Sequence, residues 1–150
     1  MSEFTVRIVS WQEAAPLLSQ VRRAVFVEEQ GVPEELEWDG EDEAAVHVLA
    51  TDSGGQPIGT GRLLRQGDRA HIGRMAVRRE WRGRGVGSAI LKALLAEVAR
   101  SGLGGAFLNA QTYAVPFYER FGFKREGAEF LDAGIPHRRM TRYTTRTSGE

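Results

Sequence analysis

"EWRGRGVGSA" (Glu80–Ala89) places glycine at 83, 85 and 87 and arginine at 82 and 84, then runs straight into a helical segment. Glycine weakens a helix start, and neighbouring arginines repel each other. An anion held by the main chain offsets both costs. A helix N-terminus presents unpaired N–H groups and the positive end of its dipole, and glycine lets that backbone approach a phosphate closely. Without a ligand the same residues make a tight strand-to-helix turn. The helix is marked by Val86, Ile90, Leu94 and Val98 at every fourth position, with Leu91 and Leu95 beside them and Gly102 at its end. Lys92, Glu97 and Arg100 fall outside that stripe. "AHIGRMAV" (Ala70–Val77) reads as a strand before the turn and "GAFLNA" as a buried strand after the helix. Strand, glycine turn, helix, strand is a βαβ unit with a right-handed crossover.

Two common phosphate motifs do not fit. A dinucleotide turn needs a glycine three residues after Gly85, where Ser88 stands, and no acid about 20 positions on suits a ribose. A nucleoside-triphosphate loop needs a lysine after its glycines, and none follows.

Working outward, "FTVRIV" (Phe4–Val9) alternates as a strand. Ser10 caps a helix expected to reach about Glu29, with Leu17, Leu18, Val21, Val25 and Phe26 inward. Gly31, Pro33 and Gly40 argue for an irregular acidic loop in "GVPEELEWDGEDE". "AAVHVLAT" and "IGTGRLLR" form a hairpin around "DSGGQP". "AVPFYERFGF" reads as a short helix ending at Gly122, followed by a strand, a loop "LDAGIP" and a last strand "HRRMTRYTT". The chain of 150 residues is expected to be one domain over 1–144, with a frayed tail at 145–150.

Hydrophobic residues make up 41% of the chain, as in an ordinary globular protein, and the absence of cysteine excludes disulfides and thiolate chemistry. The three histidines lack metal-ligand spacing, so no metal site is expected. The start carries no signal-peptide pattern and no apolar run is long enough to span a membrane, so a cytoplasmic location is expected. Zero net charge gives no bulk attraction to nucleic acid. The charge is nevertheless segregated. Nine acids and no base lie between Glu28 and Glu43, against eight arginines and two acids between Arg62 and Arg84.

The run Arg82-Gly83-Arg84-Gly85-Val86-Gly87 fits the pattern [QR]-x-x-G-x-[GA], and "AVPFYERFGF" fits A-x-x-F-Y-x-x-x-G-F about 30 residues on. Both resemble the GNAT superfamily of N-acetyltransferases. "RRAVFVEEQGVPEELEWD" and "FLDAGIPHRRM" are similar to its ElaA/YjcF-like branch. The resemblance implies an α/β fold: a twisted, mostly antiparallel mixed sheet of six to seven strands, flanked by about four helices. It implies acetyl-CoA as cosubstrate and a small-molecule amine as acceptor, and a homodimer is compatible with it. The pyrophosphate would lie on Arg82, Gly83, Arg84, Gly85, Val86, Gly87 and Ser88, and the pantetheine arm along Met75, Ala76 and Val77 and beside Phe117. Tyr118 matches the family's general acid toward the leaving thiolate; Tyr113 is a weaker competitor.

The general base has no such match, because the position where some members carry a glutamate is Gly73. Glu28, Glu29, His71, Glu129, His137 or a relayed water remain as candidates, with Glu28, Glu29, His71 and His137 also placed toward the acceptor. The acidic segment suggests a cationic acceptor, while Arg22, Arg23, Arg138 and Arg139 would oppose one if they turned inward. Two alternatives stand beside the enzyme: a non-catalytic CoA-binding module, and, from "RRAVFVEEQG", a faint resemblance to acyl-homoserine-lactone synthases.

Overall fold

The computed structural model describes residues 3–144, so the expected frayed tail at 145–150 lies outside the described residues. Seven strands form one sheet: β1 (Phe4–Val9), β2 (Val46–Asp52), β3 (Pro57–Gln66), β4 (Arg69–Val77), β5 (Gly105–Gln111), β6 (Lys124–Asp132) and β7 (Ile135–Tyr143). Their order is β1-β2-β3-β4-β5-β7-β6. Every neighbouring pair is antiparallel except β4–β5, the two strands joined through the glycine turn and its helix. Helices α1 (Trp11–Arg22) and α3 (Val86–Arg100) cover opposite faces; α2 (Glu34–Glu37) and α4 (Val115–Glu119) are short. This is the expected mixed sheet with four helices.

Each long helix forms where its sequence directs. Ser10 and Glu13 make a reciprocal capping box at the start of α1, Ser10 Oγ accepting from the Glu13 N–H and the Glu13 carboxylate from the Ser10 N–H. Ala14 and Leu18 then pack on Val9 and Leu49, while Val21 and the later Val25 pack on Ala76. On the other face Val86, Ile90, Leu91, Leu94 and Val98 of α3 join the main core with Val48, Ile58, Ile72 and Leu108. That helix sits close because β3 carries glycines under it. A Cβ on Gly61 would stand 2.7 Å from Ile90 Cγ2 and 2.8 Å from Leu94 Cδ1, and one on Gly59 2.8 Å from Ile90 Cδ1.

A bulge interrupts β4. Thr60 of β3 pairs with Ala76 and Arg62 with Gly73, so Arg74 and Met75 together oppose Gly61. Arg74 takes a left-handed backbone (φ 49°), and its carbonyl accepts from the Thr60 hydroxyl at 2.9 Å. The extra residue reverses the sidedness of the strand. Ile72 faces α3, whereas Ala76, four residues on, faces α1.

Four local expectations need correction. The first helix does reach Glu29, but Arg23–Glu29 is a π-helix, with the Gln30 N–H bonded to the Val25 carbonyl at 3.0 Å. The acidic segment contains α2 and a 3₁₀ turn at Asp42–Ala44, because its acids bind arginines of the scaffold. "LDAGIP" is mostly strand, turning only at Ala133 and Gly134, both with positive φ. Glu97 is buried against the sheet side of α3, its carboxylate satisfied by two hydrogen bonds from Arg100 at 3.0 and 2.6 Å.

Replacing Gly61 by valine forces α3 off β3, and urea unfolding should show a loss of about 1–3 kcal/mol, the usual cost of overpacking. An unchanged midpoint would show that the helix does not need the glycine surface.

Candidate active site

β4 and β5 pair at only three positions: Arg69–Gly105, Ala70–Ala106 and His71–Phe107. Beyond them β4 stays with β3 and β5 stays with β7, so the sheet opens into a wedge. The wedge holds a cavity of about 740 Å³, within the range of small-molecule sites. One wall is the free edge of β4 from Ile72 to Val77; the other is Leu108 to Gln111 of β5. Main-chain groups on such free edges need partners, and an extended amide-bearing chain is one kind of molecule that could pair with them.

At one end lies the glycine turn. Gly83 and Gly85 have φ of 77° and 85°, and no atom lies within 4 Å of where their Cβ atoms would be. Gly85 is the N-cap of α3, so the turn's bare backbone and the helix N-terminus face the same space. Arg82, Gly83, Gly85, Val86, Gly87 and Ser88 line the cavity, as do Met75, Ala76, Val77 and Phe117. Arg84 does not: it lies 4.6 Å over the Trp81 ring and 3.6 Å from Glu3. Arg120 lines the cavity beside Phe117, with no acid against it among the described residues.

Tyr118 of α4 is buried, with Phe117 and Phe123 edge-on to its ring. It lines the cavity, and its hydroxyl has no hydrogen-bond partner among the described residues. Burial pushes the phenol well above its ordinary value, so it stays protonated at neutral pH. Tyr113 lines the mouth and is largely exposed.

At the other end, the bottom of the wedge holds His71, its ring stacked on Phe107 with centroids 4.6 Å apart. Burial, and then the charges of Arg62, Arg139 and Arg74, push this imidazole below its ordinary value, so it is neutral near pH 7. Next to it on the same face is Gly73, with nothing within 4 Å of a would-be Cβ. His137 lines the cavity from β7, Nδ1 lying 2.7 Å from the Ile135 carbonyl; as donor there it leaves Nε2 as an acceptor. Glu129 is exposed on β6 and accepts from the Thr112 hydroxyl, away from the cavity.

The acidic segment does not wall this site with free charge. Arg22 is buried, its guanidinium bonded to Glu37 and Asp42. Arg62 bonds Asp39 at 2.8 Å and Asp42 at 3.1 Å, and Arg74 reaches Glu37 and Asp39 at 3.3 and 3.2 Å. Burial pushes the Asp39 carboxyl upward, yet the Arg62 hydrogen bonds and the Glu41 N–H outweigh it and hold it far below its usual range. Three arginines therefore neutralise three acids, and only Leu36 and Glu37 of α2 reach the cavity. Arg23 pairs with exposed Glu34; Arg138 donates to the Gly127 carbonyl; Arg139 lies over Phe107 and pairs with Glu126. None of the four arginines weighed as anion clamps is a free cation in the wedge.

Glu28 sits in a shallow surface depression with Arg78 and Arg79, outside the main cavity. Glu29 is bound to Arg82. The sequence reading missed Gln30, Asn109, Gln111, Arg120 and Asp132, all of which line the cavity. Gln30, Arg120 and Asp132 stood within the family-like stretches without a role; Asn109 and Gln111 are polar residues on a strand whose facing the sequence does not set.

Residues 12–144 match the family model described as the acetyltransferase (GNAT) domain. The chain belongs to the GNAT acetyltransferase family. It is 44% identical over 121 residues to a Bacillus subtilis protein named as the uncharacterized N-acetyltransferase YjcF, covering 80% of this chain and 86% of that one. Among solved structures, an acyl-CoA N-acyltransferase from Pseudomonas aeruginosa superposes with a TM-score of 0.83 at 29% identity, covering 93% of this chain and 99% of that one. Escherichia coli ElaA superposes with a TM-score of 0.84 at 27% identity over the same shares. The ElaA/YjcF-like branch is thereby supported, and this GNAT chain is an acyltransferase of a kind that uses a CoA-type cosubstrate. Among the described residues no helix is long and apolar enough to cross a membrane, and no cluster of metal-ligating side chains occurs.

Proposed function

We propose that the protein transfers an acetyl group from acetyl-CoA to the amine of a small molecule. The observation that carries this reading is the wedge itself: a free β4 edge leading to a glycine turn and helix N-terminus at one end, and to the neutral imidazole of His71 at the other. Pantetheine amides suit the open edge at Met75–Val77, and the pyrophosphate suits the bare backbone at Gly83–Ser88. Arg120 is the nearby cation that no acid neutralises among the described residues.

In the reaction the amine nitrogen attacks the thioester carbonyl carbon, an N–C bond forms, and the C–S bond breaks. The amine proton passes to His71, through a water for which the gap above Gly73 leaves room. Tyr118 hydrogen-bonds and protonates the departing thiolate, giving the free thiol and the amide, and regains its proton from solvent. His71 suits the first role because it is neutral and fixed by Phe107. The acceptor is an amine held among Asn109, Gln111, His137 and the Asp132 carboxylate at the tip of the β6–β7 hairpin. A preference for cations then rests on Asp132 rather than on the acidic segment, whose charges at Glu37, Asp39 and Asp42 are already neutralised.

Screening amines by thiol release tests the reading. With an active amine, Tyr118→Phe should lower kcat by roughly 100-fold with little change in acetyl-CoA affinity; full kcat in a chemistry-limited reaction would make Tyr118 a core residue. A folded protein that binds CoA but turns over no amine would favour the non-catalytic module.

Because the His71 pKa is lowered, activity should persist as pH falls through 6.5, the ordinary histidine value, and decline only below it. His71→Gln should remove that acidic limb from the kcat/KM profile. A limb that survives unchanged would assign the base elsewhere, with His137 the next candidate.

A further inference from the structure

The stretch "VFVEEQ" (Val25–Gln30) is the end of the π-helix that closes α1 together with its C-cap Gln30, and it has no part in the chemistry above. It nonetheless crosses the mouth of the wedge, with Val25, Phe26 and Gln30 lining the cavity. We propose that Glu29 and Gln30 are positioning residues that staple the diverging ends of β4 and β5 together, setting the width of the site. This rests on the reading of the wedge as an acyl-CoA site.

On the β4 side, Glu29 accepts two parallel hydrogen bonds from Arg82, both at 2.7 Å. The same guanidinium donates through Nε to the carbonyl of Val77, the last residue of β4, at 2.9 Å. Arg79 adds a second cation 3.4 Å from the carboxylate. On the β5 side, Gln111, the last residue of that strand, donates its amide to Gln30 Oε1 at 2.8 Å. Two adjacent residues thus grip the ends of the two strands that the sheet leaves unjoined. The π-turn makes this reach possible by shifting the phase of residues 29 and 30 relative to α1.

The staple reassigns Arg82. Its position in the glycine motif suggests a counter-charge for pyrophosphate, but its forked face is taken up by a carboxylate and a main-chain oxygen. Its hydrogen bonds hold the Glu29 carboxyl below its usual range against the opposing effect of burial, so the pair stays ionised at neutral pH. Bidentate arginine–carboxylate pairs are rigid as well as strong. Arg82 acts here through Glu29: it fixes the turn to the π-helix, and main-chain N–H groups are left to meet the phosphate.

Calorimetric titration with CoA, together with acceptor KM, tests this in Glu29→Gln, Arg82→Gln and the double variant, and likewise in Gln30→Ala, Gln111→Ala and their double. Each single variant should weaken CoA binding or raise acceptor KM by about tenfold, and each double should be no worse than its poorer single, as for residues acting as one unit. Arg82→Lys keeps the charge but loses the fork, and should behave like Arg82→Gln. Tighter CoA binding by Glu29→Gln would overturn the staple, since it would mean that the freed arginine serves the phosphate. Wild-type affinity in Arg82→Lys, or additive losses within either pair, would overturn it too. Should wild-type protein not bind CoA, the site reading fails, and the staple is read from hydrogen exchange instead. Faster exchange at residues 25–32 in both Glu29→Gln and Gln30→Ala supports it; unchanged exchange overturns it.

Discussion

The parting of β4 from β5 after the His71–Phe107 pair is the constraint on which the rest of the molecule depends. Parallel strands joined through a helix normally pair along their length, and main-chain groups left unpaired inside a protein are costly. Here the sheet is held on both sides of the gap, by β3 against β4 and by β7 against β5, so the opening is built in rather than frayed. The bulge at Arg74–Met75 contributes by turning Ala76 toward α1 and giving β4 a course of its own. A cleft lined with unused backbone, ending at a glycine turn, has the form that a chain of amides carrying a phosphate at one end would fit, as in the proposed reading. The acyltransferase family and the wedge point to the same chemistry from separate directions.

Electrostatics serve the scaffold more than the ligand. Arg22, Arg62 and Arg74 come from α1, β3 and β4, and their carboxylate partners Glu37, Asp39 and Asp42 all come from one segment. Desolvating so many charges gains little net stability, but removing one member leaves another buried without its partner. The arrangement therefore fixes where the segment lies. It brings Leu36 and Glu37 to the cavity and spends its charge in doing so.

The same arrangement explains which parts of the site were legible in the sequence. The glycine turn and α3 could be read because their signals are local: apolar residues every four positions, and glycines where the backbone must be left-handed or bare. Tyr118 could be placed only through the two-block resemblance, since an aromatic cluster at Phe117–Phe123 reads equally as core, and its ring is indeed packed there. The charge of the acidic segment misled because pairing is a long-range property. Asp39 and Arg62 lie 23 positions apart, and no pattern in either stretch announces that they meet. The π-turn and the β4 bulge were hidden for a related reason: each adds one residue to an otherwise regular element, and composition barely registers it. Glu29 carried a recognisable motif, but its partner was visible only once α1 and the glycine turn were folded together.

The most direct test of the account is calorimetric titration of acetyl-CoA into wild-type protein and into Gly85→Val, with thermal unfolding confirming that the variant is folded. Gly85 carries a left-handed φ of 85° at the N-cap of α3, over open space that the account gives to pyrophosphate. Saturable one-to-one binding by the wild type, weakened at least about tenfold (about 1.4 kcal/mol) in the variant, is the expected result. Equal affinity in a folded Gly85→Val protein would contradict it.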